Sequence, residues 1–204
     1  MPISSVQINE GTGKRFDTWQ YTKAGVALED QFLLHGEMPY PSYVVVASAA
    51  WTTTQRDLIQ IMAGATLPVL VRSISVLQLA AISAVATREL QLWRLTTAGT
   101  GGSAVTPRPF STAAAAAGAT AMVKPTANGT QGVQVGTRSS WFGTAAIPTV
   151  GAGMLWDFTK EGMQPLIIAA GTANGIALTN SVADAALSVT IEVVFTEINF
   201  VPGA

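Results

Sequence analysis

The chain is 204 residues long, which fits one domain with a large core, or one domain with an appended arm, and argues against two equal domains. Its 11 basic and 12 acidic residues give a formal net charge of −1, with the basic side chains scattered singly; this excludes the electrostatic footprint of non-specific nucleic-acid binding. The absence of cysteine removes disulfides, thiolate metal sites and cysteine nucleophiles, and a composition only 11% charged but 49% hydrophobic implies an uncharged surface suited to burial in a homo-oligomer or larger assembly.

The N-terminus, MPISSVQINEGTG, has no basic region followed by an apolar run and does not read as a signal peptide. Residues 1–43 differ from the rest, because charges such as Lys14, Arg15 and Asp17 interleave with Phe16, Trp19, Tyr21 and Phe32. The run MPYPSY at 38–43 follows, and its two prolines fix φ and bias their predecessors to extended geometry, as in a hinge. Residues 1–43 are therefore expected to form an extended N-terminal arm and linker, and residues 44–204 the folded domain. Charge mixed with large aromatics suits attachment, so Lys14, Arg15, Phe16, Trp19, Tyr21 and Phe32 are the candidate partner-binding residues.

From Val44 onward, short apolar runs are punctuated by glycine and proline with almost no 3.6-residue period, so strands dominate. Candidates are 43–49, 57–62, 69–79, 84–96 and 132–137, at the spacing of an antiparallel sandwich or barrel. The most apolar stretch, 69–86, carries Arg72, Ser73, Ser75, Gln78 and Ser83, which a bilayer would reject. Within 84–96, Leu90 and Leu92 face one way and Glu89 and Gln91 the other; the pattern reverses near Trp93, which predicts a bend or bulge. Residues 97–121 form a long Gly-, Ala-, Ser-, Thr- and Pro-rich excursion whose five alanines are too short and poorly flanked to make a stable helix. Further strands follow at MLWDF (154–158), PLIIAA (165–170) and GIAL (175–178), and the final strand, SVTIEVVFTE, is the clearest. In it Val189, Ile191, Val193 and Phe195 lie on one face, Ser188, Thr190, Glu192 and Thr196 on the other, and only Val194 breaks the alternation.

Motifs for chemistry are weak. GTGK at 11–14 lacks the spacing of a phosphate-binding loop, and GTGGS at 99–103 lacks the lysine and reads as a turn. The sole histidine, His35, cannot build a histidine metal site alone, and Ser139 and Ser140 have no nucleophile frame. Asn128-Gly129-Thr130 fits a glycosylation triplet but reads as a tight turn. A sugar-cleaving site would need two carboxylates across a groove, whereas Asp157, Glu161, Asp184, Glu192 and Glu197 fall mostly at strand ends or solvent faces. Of the five tryptophans, Trp93 and Trp156 are expected to be buried and Trp141 exposed. The expectation is a non-enzymatic chain without cofactor, metal or small-molecule substrate.

The run LQLWRLTTAGTGGSAVTPRPF (90–110), alanine-rich filler, then SSWFG, MLWDF, QPLIIAAGTANGIAL and SVTIEVVFTE together resemble the jelly-roll virion proteins found in genome neighbourhoods of tailed bacteriophages. The resemblance covers about 69–198 and implies an all-β antiparallel jelly-roll β-sandwich of about eight strands, commonly trimeric, on the virion. It implies a capsid decoration or cement protein that binds the major capsid protein, made in the host cytoplasm, with the arm residues named above as capsid contacts. The alternative it implies is a receptor-binding or head or tail fibre module. Neither nucleic acid nor membrane is an expected partner.

Overall fold

The computed structural model describes residues 3–7, 15–23, 26–31, 40–51, 54–79, 86–142, 153–159, 165–181 and 187–198. The chain divides into two compact units, Met1–Pro39 and Tyr40–Ala204. In the first, β1 (Ile3–Gln7), β2 (Arg15–Lys23) and β3 (Val26–Gln31) pair as an antiparallel meander, with Trp19 opposite Ile3 on one side and Asp30 on the other. Lys14 and Phe32 lie outside the described residues.

The second unit is a β-sandwich of two six-stranded antiparallel sheets, and every element described in it is a strand. Its strands are β4 (Ser42–Ala50), β5 (Asp57–Met62), β6 (Val69–Gln78), β7 (Ala86–Leu95), β8 (Ser103–Val105), β9 (Arg108–Pro109), β10 (Thr120–Val123), β11 (Gln131–Phe142), β12 (Gly153–Asp157), β13 (Leu166–Ile168), β14 (Gly175–Asn180) and β15 (Ser188–Glu197). One sheet has the order β11-β7-β14-β5-β10-β8; the other has β12-β6-β15-β4-β9, with β13 also on β6. There are more strands than the expected eight, because the excursion supplies β8, β9 and β10 and the 165–170 run supplies only the short β13. The five alanines make no helix; Ala114 N–H donates to the Ser111 carbonyl in a turn.

Alternation builds the core. Tyr43, Val45, Ala47 and Ala49 of β4 are buried between exposed Val46, Ser48 and Ala50, and β15 buries Val189, Ile191, Val193 and Phe195 in the same way. The apolar Val194 keeps that alternation and lies half-buried on the outer face. Beside it the pairing of β15 with β6 skips Arg72, whose Nε donates to Thr196 Oγ1. The irregularity expected near Trp93 is carried by the partner strand, since the β11–β7 register shifts on both sides of Gln134↔Trp93. β5 and β14 are buried on both faces, and the rings of Tyr43 and Phe195 stack with centroids 5.4 Å apart.

At this end of the sandwich Glu197 is buried rather than on a solvent face, and its Oε1 accepts from Ala119 N–H at 2.6 Å. Burial first, and the Glu197 carboxylate second, hold the Tyr43 phenol above its ordinary range. The folded chain therefore holds this proton more tightly than the unfolded chain does. The resulting stability is fully present below the ordinary tyrosine range and is lost as pH rises through the raised value. Alkaline thermal melts should show the loss, and Tyr43→Phe should reduce it.

Candidate functional site

The outer faces of the two sheets differ, and the difference begins with Asp57. In the pairing of β14 with β5, Leu178 sits opposite Ile59 and Thr179 opposite Asp57, so Leu58 is an extra residue on β5. This bulge lets Asp57 and Gln60, three apart in sequence, meet on one face. Asp57 Oδ2 accepts from Gln60 Nε2 at 2.6 Å and from Gly129 N–H at 3.3 Å; its Oδ1 accepts from Thr179 Oγ1 at 2.7 Å and from Gln131 Nε2 at 3.2 Å. Gln60 Oε1 accepts from Gly99 N–H at 2.8 Å, and Asn128 Oδ1 accepts from Asp57 N–H at 3.1 Å.

Asp57, Gln60 and Thr179 are fully buried. A carboxylate offers about four acceptor sites, and here four donors from loops and strands fill them. The network pins the chain around Gly99 and Gly129 onto the sheet, beside a small apolar cluster of Met62, Leu95 and Ala177. It serves as a clamp, because its acceptors are already occupied by the protein's own donors.

The expected tight turn at Asn128-Gly129 is instead a loop strand of this clamp. The glycine is needed for close approach, since a methyl on Gly129 would stand 2.3 Å from the Thr97 carbonyl oxygen. Gly129→Ala should therefore destabilise the domain by about 2 kcal/mol or more, measured by denaturant unfolding. In the GTGGS run the expected turn is present, with Gly101 at φ 73°.

Among the described residues, the outer face of the other sheet leaves large apolar side chains exposed. Across it Leu155, Ser75, Glu192 and Val46 stand in register on β12, β6, β15 and β4, and the next row holds Gly153, Leu77, Thr190 and Ser48. Leu155 is 58% exposed, Leu77 50% and Val46 53%, with Leu79 at 58% just beyond. These are large apolar side chains on one flat surface about 14 Å across, with Glu192 among them. At its β9 edge the face runs into a groove of about 470 Å³ lined by Val44, Val46, Ala104, Val105, Thr106 and Arg108. The excursion thus supplies one wall of the groove, with Arg108 as its cation.

Of the residues singled out in the sequence, Arg15, Phe16, Trp19 and Tyr21 lie on β2 of the first unit, while Lys14, Phe32 and His35 lie outside the described residues. Trp156 and Trp51 are buried, Trp93 is half-buried with its Nε1 donating to Gln91 Oε1, and Trp141 is 62% exposed. Asp157 Oδ1 accepts from the backbone N–H and hydroxyl of Thr159 in a local turn. Among the described residues, no group of three or more His, Cys, Asp or Glu side chains stands together. Comparison with protein-family models, curated proteins and solved structures finds no match to this chain.

Proposed function

We propose that this chain is a structural protein of a tailed-phage virion, a decoration or cement protein that attaches to the major capsid protein shell. The observation that carries the proposal is the asymmetry of the sandwich. One outer face is clamped under the chain's own loops, and the other presents Leu155, Leu77 and Val46 to solvent. A flat apolar face with a charged centre and a basic groove at its edge suits burial against another protein. Strand pairing supports the jelly-roll reading: β4 pairs with β15, β5 with β14, β6 with β12 and β7 with β11. First pairs with last and second with next to last, the pattern of one long hairpin rolled into two sheets. The N-terminal residues Arg15, Phe16, Trp19 and Tyr21 supply a second attachment element in this proposal.

A rigid sandwich bridging neighbouring shell subunits adds interface that must break before the shell opens. A standard interface buries on the order of 1,600 Å², and repetition over the shell multiplies modest contacts. Quantitative gel analysis of purified particles tests the proposal. The expected result is a fixed ratio of this chain to the shell subunit over the whole capsid. A few copies per particle would favour the fibre or receptor-binding module instead, and absence from particles would reject a virion role.

A further inference from the structure

The two sheets of the sandwich end in four edges, and three of them are blunted. β8 has three residues, β9 has two, of which the second is Pro109, and follows Pro107, and β12 has five and closes on Asp157. Short length, proline and charge are the ordinary means of keeping an edge from pairing with another chain. The fourth edge, β11, is long, has no proline and carries a single charge, Arg138. It runs 12 residues, pairs with β7 alone among the described strands and is exposed at most positions. Its register with β7 is irregular up to Gly136; from there to Phe142 it pairs residue for residue with Leu92 through Ala86. The bulges interrupt the first half, and the regular half, GTRSSWF, is an edge that no described strand pairs on its outer side.

We propose that this edge pairs with the same edge of a second copy, antiparallel about a two-fold axis through Ser139, so that two sheets join into one. The register follows from the residues. Ser139 is the midpoint of the regular half, so centring there overlaps the whole segment with itself. Arg138 then faces Ser140, Thr137 faces Trp141, and Gly136 faces Phe142. Centring one residue earlier would set the two Arg138 side chains directly opposite each other. The chosen register instead lays the exposed Trp141 against Thr137 of the second copy. A second copy is the occupant because the regular half carries a single charge, which this register keeps from facing its mate directly, and because a chain only 11% charged suits self-association through an isologous contact.

The chain has no cysteine, so single substitutions report the register directly. Directly opposed residues of antiparallel strands have Cα atoms about 4.5–5.5 Å apart, within disulfide range. Ser139→Cys should therefore form a disulfide-linked dimer rapidly under mild oxidation, and Thr137→Cys should not. Sedimentation at micromolar concentration should show a dimer for the native chain and monomers for Ser139→Lys and for Ser139→Glu, with unchanged melting temperatures. An equimolar mixture of those two variants should dimerise again, because Lys faces Glu at the axis. A monomeric native chain, a Ser139→Lys variant that keeps the native mass, or equal cross-linking at Thr137→Cys and Ser139→Cys would each overturn the proposal.

Discussion

Asp57→Ala is expected to lower the unfolding free energy by about 4 kcal/mol, enough to unfold a marginal domain at physiological temperature. The side chain is fully buried and accepts from Gln60, Gly129, Thr179 and Gln131. Truncation leaves those donors without their acceptor in a site that water cannot freely enter, and each unsatisfied buried donor costs about 1–3 kcal/mol before relaxation. Relaxation keeps the total below the sum. Asp57→Asn keeps the shape but turns one acceptor into a donor facing other donors, so about 2 kcal/mol is expected. Urea unfolding of both variants checks the order. An alanine variant within 1 kcal/mol of the native chain would show that the clamp is not what seats the loops.

The second large effect falls on binding and spares the fold. Leu77→Asp and Leu155→Asp change side chains that are half or more exposed, so each should alter stability by about 0.5 kcal/mol or less. On an interface they would act one row apart on neighbouring strands, Leu77 on β6 and Leu155 on the edge strand β12. A hot-spot side chain contributes about 2 kcal/mol or more, and the pair, with added charge repulsion against Glu192, should weaken attachment to undecorated shells by about 100-fold or more. Co-sedimentation reads this directly. As a contrast, Gln134→Asp on the same body but away from that face should bind as the native chain does.

Strand positions were legible because period two and turn residues act locally. The 57–62 run coincides with β5, and 84–96 brackets β7. The sequence candidate 132–137 is six residues shorter than β11, five of them at its C-terminal end, because Arg138, Ser139 and Ser140 are polar on an edge that no core requires to be apolar. The clamp was not legible. Asp57 and Gln60 have the wrong spacing for one strand face, and only the extra residue Leu58 brings them together. Their partners Gly99, Asn128, Gly129 and Gln131 lie 39 to 74 residues away, in a stretch whose composition suggests only a loop. The exposed apolar face was half legible: Val194 breaks a polar pattern, but recognising a surface needed the cross-strand register that puts Leu155, Glu192 and Val46 in one row.

The proposed docking face is tested most directly by hydroxyl-radical footprinting of the full chain, free and bound to undecorated shells. Strands β6, β12 and β15 are already hydrogen-bonded, so the informative signals are side-chain reactivities at Leu77, Leu155 and Leu79 and in the segment 104–108 that walls the groove. The expected result is strong protection at those positions on binding, with the clamped segment around Gly99 and Gly129 unchanged. Protection confined to Met1–Pro39, or to the clamped face, with Leu77 and Leu155 as reactive as in the free protein, would contradict it.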